Sequence, residues 1–540
     1  MKPLSGTDGW RGDCSRPAAA QSEHKESTIM AAAWTNITDA IFDHAKARPT
    51  AVAVVEGPTA LTFRAFADLI SKTTAWLAQQ KIKSGDRVGV RMTNSADHLI
   101  LSLALLRMGA AKFELSPNHT PKQIEAITRK FSLTTLFVEP PMKTYRGARA
   151  IIVDITWRAA VEACDGDVRH DDKTGSPWFA VLTSGSTGVS KAVVTHHSQV
   201  LKRYNELLAG YGNTGIISSK DPGTALMLGS LSFAGFHGFV LYQLIAGAKI
   251  VVLPEFARFY DIVRNFSYYD NVVSMVMPDL CTVFLSCAQK GTMLLPNVRA
   301  LISGGQPLPP ESKKAMLVSV TPNYHESYGT SSTGWISALH PADMARRSES
   351  VGRPVPGMEV EIVDGQGNVL PANKVGRLRC RSATTSESFV VPEETSEEGF
   401  RDGWYYPGDL AMVDSNRFVY LKGRVSDIIR RRGVEIYPAE IEAVLGAHAS
   451  VNEVAVVGLP TRQGGRALVA LVVTKGAPQH EELVQHCAAK LPEEKRPGAL
   501  AYTDALPRTA NGKIDRKKVA ELALQAIRRS RTQVRAPGLA

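Results

Sequence analysis

Between residues 182 and 192 the chain reads Leu-Thr-Ser-Gly-Ser-Thr-Gly-Val-Ser-Lys-Ala. Glycines let backbone N–H groups come close to an anion, hydroxyls donate further hydrogen bonds, and a lysine adds positive charge. Thr183, Ser184, Gly185, Ser186, Thr187, Gly188 and Lys191 therefore make a polar loop suited to holding phosphate. It is not a Walker A loop, because Val-Ser-Lys follows Gly188 where that loop runs straight into Lys and a hydroxyl residue. A flexible surface linker shares this composition. Apolar runs flank the loop, Trp178 to Leu182 before it and Ala192 to Thr195 after it, which predicts strand, loop, strand.

Four further segments follow in order. They are Ser303-Gly304-Gly305-Gln306-Pro307 with Tyr328-Gly329-Thr330-Ser331-Ser332, then Trp404-Tyr405-Tyr406-Pro407-Gly408-Asp409-Leu410, then Gly423-Arg424-Val425-Ser426-Asp427, and last Pro507-Arg508-Thr509-Ala510-Asn511-Gly512-Lys513-Ile514. Together with the Lys191 loop, over about residues 30–525, this ordered set resembles the acyl-adenylate-forming (AMP-binding) superfamily. Within it the chain is most similar to acyl-CoA synthetases, the acid–CoA ligase branch. The resemblance implies a two-step chemistry. A carboxylate is a poor electrophile, and joining it to the α-phosphate of ATP gives an acyl-adenylate with a good leaving group. Such a site needs a phosphate cradle, an adenosine socket and a cation at the carboxylate–phosphate junction.

Carried onto this chain, the resemblance gives the Thr183–Lys191 loop to the β- and γ-phosphates. Ser190 and Ala192 depart from the usual Pro and Gly at the loop's end. Gly304 and Gly305 permit close backbone approach, to an adenine edge or as the floor of the acyl pocket. Tyr328, followed by Gly329, can stack on adenine, and Ser331 stands where a family threonine meets the α-phosphate. Ser332 is the notable departure: the family has a Glu there that helps hold Mg²⁺, and a hydroxyl is a poor substitute for a carboxylate on a hard dication. The metal ligands are therefore unknown. Asp409 can accept from the ribose hydroxyls and Arg424 can add a donor, while Lys513 can reach the forming acyl phosphate. A hinge is implied at Ser426, with Asp427 beside it, and Gly433 matches a glycine that lines the thiol's path. Arg430, Arg431 and Arg432 could meet CoA phosphates, although exposed basic runs are usually solvated faces.

Substrate clues lie in Leu231-Ser232-Phe233-Ala234-Gly235-Phe236-His237-Gly238. Amino-acid-activating relatives have Asp where Ala234 falls. An unpaired ammonium is costly in an apolar pocket, which argues against an α-amino acid. Ala234, Gly235 and Gly238 leave room, and Phe233 and Phe236 are expected as apolar walls. His237 reads as a packed or capping histidine, and His196 and His197 as pocket gate or structural residues.

The elements that must place these residues follow from pattern. Val52 to Val55, Val88 to Val90, Ala150 to Val153 and Lys249 to Leu253 read as strands, and Phe66 to Gln80 and Ala96 to Arg107 as helices. Their alternation predicts an α/β fold with doubly wound, largely parallel sheets. Thr38 is expected to cap a helix ending before Pro49. Val272 to Ala288, the most apolar long stretch, reads as a buried helix broken by Pro278 and Asp279 rather than a membrane span. Residues 351–421 read as a small β-rich lobe. Residues 1–29 read as a disordered extension, 30–422 as the AMP-binding domain, 423–427 as the hinge, 428–525 as a mobile α+β C-terminal domain, and 526–540 as a basic tail.

Composition bounds the rest. The 540 residues, 44% hydrophobic and 21% charged, suit a soluble chain with more than one core. No signal-like apolar run opens it, and six cysteines form no Cys-x-x-Cys pair, which fits a reducing cytoplasm. The net charge is +11, and from Lys513 to Ala540 there are eight basic and two acidic residues with no aromatics, which argues for a solvated end and against nucleic acid. The sequence thus reads as an ATP-dependent acid–CoA ligase of an apolar fatty or aryl acid, using ATP, Mg²⁺ and CoA. The alternatives are an acyl-AMP ligase loading a carrier protein in trans and a non-catalytic nucleotide-binding homologue.

Overall fold

In the computed structural model the strands on either side of the Lys191 loop pair at the edge of one of two large sheets. The structure describes residues 34–141, 147–166, 177–183, 191–255, 257–386, 389–390, 398–431, 434–461, 465–477, 479–508 and 514–533, with backbone alone for 177–183 and 529–533. The first large sheet has six strands, in the order Arg149–Ile152, Thr135–Val138, Arg87–Arg91, Ala111–Glu114, Pro177–Thr183 and Lys191–His196. All its pairings are parallel except the last, where a short connection folds Lys191–His196 back on Pro177–Thr183. The second sheet has nine strands. Its parallel heart runs Tyr324–Thr330, Ala300–Gly304, Val272–Val276, Thr224–Met227, Lys249–Val252 and Val52–Glu56, with antiparallel strands at both edges. The alternation of strands and helices did predict this parallel α/β architecture.

The helices between the sheets are apolar on every face, as a helix buried all round must be. Ala96–Met108 is the clearest case. Ser95 caps it by accepting from the His98 N–H at 3.1 Å, Gly109 ends it at φ 79°, and eleven of its thirteen residues are buried. Ala234–Ala246 is similar, packs on the nine-stranded sheet and ends at Gly247. Between them lies a buried ion set. Lys112 Nζ stands 2.6 Å from Glu114 Oε1, His98 Nε2 lies 3.1 Å from Glu114, and His237 Nδ1 lies 3.8 Å away. Burial alone would raise the Glu114 carboxyl, but Lys112 and His98 outweigh it and hold the group well below the usual carboxylate range.

Three expectations need correction. Val272 to Ala288 is not one helix. Val272–Val276 is a fully buried strand, and Pro278 opens the separate helix Pro278–Cys287 at a position where its missing N–H costs nothing. Thr38 does stand at the N-cap of Asp39–Ala47, but its hydroxyl donates to Asn36 Oδ1 at 2.8 Å instead of capping the helix. The helix Arg516–Gln533 runs through the first part of the stretch read as a basic tail.

Strands from Glu359–Val363 to Val419–Arg424 form the antiparallel lobe. Beyond Asp427 a smaller domain is built on the sheet Val451–Pro460, Arg466–Thr474 and Ala499–Tyr502. Alternate residues go to opposite faces: Leu468, Ala470 and Val472 meet Ile441, Leu445 and Leu483, while Val469, Leu471 and Val473 share a core with Val519 and Ala523. Both faces are thus covered by helices.

Candidate active site

One large cleft opens at the ends of the nine-stranded sheet and reaches the lobe and the C-terminal domain. Thr183 pairs directly with Lys191 at the ends of their two strands. Ser184 to Gly188 lie outside the described residues. Lys191 is buried and lines the cleft, its ammonium 4.9 Å from the centre of the Phe389 ring.

Opposite it, three residues far apart in sequence meet. Tyr328, near the end of strand Tyr324–Thr330, donates its hydroxyl to Asp409 Oδ2 at 2.5 Å. Arg424 sits across from Asp409 in the lobe and donates from Nη1 to Asp409 Oδ1 at 2.9 Å. Burial and the adjacent Asp409 push the Tyr328 phenol well above its ordinary range. Burial opposes the charge of Arg424, but Asp409 prevails and raises it. The carboxylate is therefore oriented from two sides before any ligand arrives. Gly329 and Ser331 line the same stretch of wall. Ser332 does not. It is fully buried, and its hydroxyl lies against the Tyr405 phenol.

The apolar end of the cleft is walled by Phe233, Ala234, Gly235, Gly238 and Phe239. Gly305 joins them at φ +87°, and a Cβ there would come 3.0 Å from the Phe233 ring. Gly304 stands behind this wall, where a Cβ would come 2.7 Å from the Ser327 carbonyl oxygen. Phe236 is placed differently from the sequence expectation. It is buried in the core with its ring against Gly229, and Phe239, one turn further on, faces the cleft. Gly229→Ala is expected to destabilise the fold by about 1–3 kcal/mol through overpacking. Urea unfolding measures this, and an unchanged midpoint would show that the Phe236 ring yields freely. His237 belongs to the buried ion set, and His197 is a core residue whose Nδ1 accepts from the Ile37 N–H at 3.3 Å.

Lys513 and Gly433 lie outside the described residues. The described residues on either side of the 509–513 segment are informative. Arg508 and Ile514 form an antiparallel bridge, the Asp515 N–H donates to the Pro507 carbonyl at 2.8 Å, and Arg508 and Ile514 to Lys517 line the cleft. Ser426 is exposed in the turn Val425–Asp427 and donates to Asp427 Oδ1 at 3.1 Å. Asp427 in turn pairs with Arg516 Nε at 2.8 Å, and Arg516 also grips Glu442 at 2.8 Å.

Residues 41–389 match the family described as AMP-binding enzyme, and residues 440–513 match the AMP-binding enzyme C-terminal domain. The chain belongs to this family. This AMP-binding enzyme is 25% identical over 518 residues to a probable CoA ligase of Humulus lupulus, covering 90% of this chain and 93% of that one. It is 26% identical to a fatty acid–acyl-carrier-protein ligase of Streptomyces coeruleorubidus, covering 88% and 94%. Its fold matches o-succinylbenzoate CoA synthetase of Bacillus subtilis, solved with an acyl-adenylate intermediate, at a TM-score of 0.80, 20% identity, and 89% and 97% coverage. These likenesses place the AMP-binding enzyme in the CoA-ligase branch.

Sequence reasoning missed several residues that face the cleft. Val200, Arg203 and Leu207 fall on one side of the helix His197–Tyr211, and Tyr242 follows Gly238 by one turn, so helical spacing was a usable signal. Arg203 lies close to Tyr242 and donates to the Thr384 carbonyl. Among the described residues of the AMP-binding enzyme no group of three or more His, Cys, Asp or Glu could hold a metal ion, and no helix is long and apolar enough to cross a membrane.

Proposed function

We propose that this enzyme is an ATP-dependent acid–CoA ligase acting on an apolar fatty or aryl carboxylic acid. The observation that carries the reading is the sharing of one cleft by two unlike surfaces. The Tyr328–Asp409–Arg424 cluster is polar and pre-oriented, while the chamber formed by Phe233, Ala234, Gly235, Gly238 and Phe239 is apolar.

In the first step a carboxylate oxygen of the acid attacks the α-phosphorus, and the bond to the departing pyrophosphate breaks. The Thr183–Gly188 loop and Lys191 hold the β- and γ-phosphates, Ser331 meets the α-phosphate, and Lys513 offsets the charge that builds at the junction. Tyr328, fixed through its hydroxyl, stacks on adenine beside Gly305, and Asp409 accepts from the ribose hydroxyls with Arg424 beside it. Mg²⁺, when bound, neutralises phosphate charge. In the second step a thiol sulfur attacks the acyl carbonyl, loses its proton and releases AMP. The 428–525 domain turns about Ser426 for this step and brings Gly433 to the thiol's path.

The test is ATP–pyrophosphate exchange with a panel of acids. Aryl and fatty acids are expected to support exchange at least about tenfold better than α-amino acids, because Ala234 leaves an ammonium unpaired. Preference for an α-amino acid would overturn the reading. Release of product that depends on CoA separates this activity from loading of a carrier protein, the acceptor named for the Streptomyces relative.

A further inference from the structure

The chamber that would receive the acid is apolar on its Phe233 side, but a charge stands further along. A Cβ on Gly238 would come 3.7 Å from the Tyr242 ring, so Tyr242 forms the next stretch of wall, one turn on along Ala234–Ala246. Arg203 reaches that wall from the helix His197–Tyr211, and its guanidinium is hydrogen-bonded to the Tyr242 phenol. On the way its side chain passes Gly334, where a Cβ would come 3.6 Å from Arg203 Cδ.

The partners of this guanidinium carry no negative charge. Its Nη2 donates to the Thr384 carbonyl and, at 3.4 Å, to the Ser332 carbonyl. The third partner is a phenol, which burial holds in its neutral form. Among the described residues no carboxylate is in ion-pair contact with Arg203. Glu206, one turn further along the same helix, is the acid whose charge it feels. Burial pushes the Glu206 carboxyl up, Lys202 shares its charge, and its Oε1 stands so near Gly357 that a Cβ there would come 2.8 Å from it. A cation taken out of water among neutral groups is costly until an anion joins it. A guanidinium is the cation whose planar fork fits a carboxylate, through two parallel N–H···O bonds.

We propose that Arg203, steadied by Tyr242, binds a second carboxylate of the acid, remote from the one that is adenylated, so that the substrate is a dicarboxylic acid with an apolar middle. The proposal rests on the acid–CoA ligase reading above and narrows its acid. Phe233, Ala234, Gly235 and Phe239 receive the apolar body, and Arg203 receives the terminal charge. Arg203 is thereby a specificity-determining residue, and it decides between acids of equal length.

The experiment is ATP–pyrophosphate exchange by the full-length chain on matched pairs of acids. They are octanoic and octanedioic acid, dodecanoic and dodecanedioic acid, and 4-phenylbutanoic and 4-(4-carboxyphenyl)butanoic acid. The readout is the kcat/KM of each diacid divided by that of its monoacid partner, a ratio that does not depend on how much of a preparation is folded. In the pair whose length fits the chamber the parent is expected to favour the diacid by roughly 10- to 100-fold, the worth of a hydrogen-bonded charge. Arg203→Met is expected to bring the ratio down to about one, since the apolar body is then all that is recognised. Arg203→Lys, which keeps the charge and loses the fork, should fall between the two. A parent that favours the diacid in none of the pairs overturns the proposal. So does an Arg203→Met variant that loses activity toward both members of a pair equally, because Arg203 would then brace the Thr384 and Ser332 carbonyls or meet the reacting carboxylate. A parent that supports exchange with no acid of either kind overturns the ligase reading itself, and the two failures are thereby told apart.

Discussion

Lys513→Ala is expected to slow acyl-adenylate formation by about 10²- to 10³-fold, the size of effect seen when one donor to developing charge is removed. Thioester formation from a supplied acyl-adenylate should be largely preserved. The reason is geometric. Arg508 and Ile514 bridge, Asp515 ties back to Pro507, and Arg508 and Ile514 to Lys517 line the cleft, so the described residues on both sides of 509–513 stand at the site. In the proposed mechanism Lys513 offsets the charge that builds at the carboxylate–phosphate junction. In the proposed second half-reaction the domain that carries it turns away. Single-turnover assays of the two steps check this, and equal loss in both would show that Lys513 acts through the fold instead.

Asp409→Ala should raise the KM for ATP by roughly 10- to 150-fold, equivalent to the 1.5–3 kcal/mol typical of hydrogen bonds to a charged group. The ribose hydroxyls would lose their acceptor, and the Tyr328 phenol and Arg424 guanidinium would lose the group that orients them. The effect should therefore exceed that of Tyr328→Phe, which removes one of the donors and leaves the carboxylate in place. Steady-state kinetics at varied ATP decide the matter. An unchanged KM would move the ribose site elsewhere in the cleft.

What could be read from sequence was what depends on residue type at a fixed local spacing. A glycine that must adopt φ +87° at 305, or an Asp after Pro-Gly at a strand start, announces itself. The alternation of strands and helices likewise followed from period and length. What escaped depends on packing between distant segments. Phe233, Phe236 and Phe239 are equally apolar, and only the rotation of Ala234–Ala246 on its sheet decides which two face the cleft. Val272 to Ala288 is apolar throughout, and composition does not separate a buried strand from a buried helix. The meeting of Tyr405 with Ser332 belongs to no local motif, because the lobe brings the phenol there from far along the chain.

The ion set of Lys112, Glu114, His98 and His237 also constrains how the large domain comes apart. Lys112 and Glu114 ride on the six-stranded sheet, while His237 rides on the helix that packs against the nine-stranded one. Separating the sheets would take His237 from Glu114 and expose the apolar core that both sheets share, at about 25 cal/mol per Å² of apolar surface uncovered. Partial opening along that seam is therefore disfavoured relative to complete melting. In a calorimeter the two sheets would share one heat-absorption peak, and a fragment carrying the nine-stranded sheet alone would keep a buried His237 without the Lys112–Glu114 pair it faces.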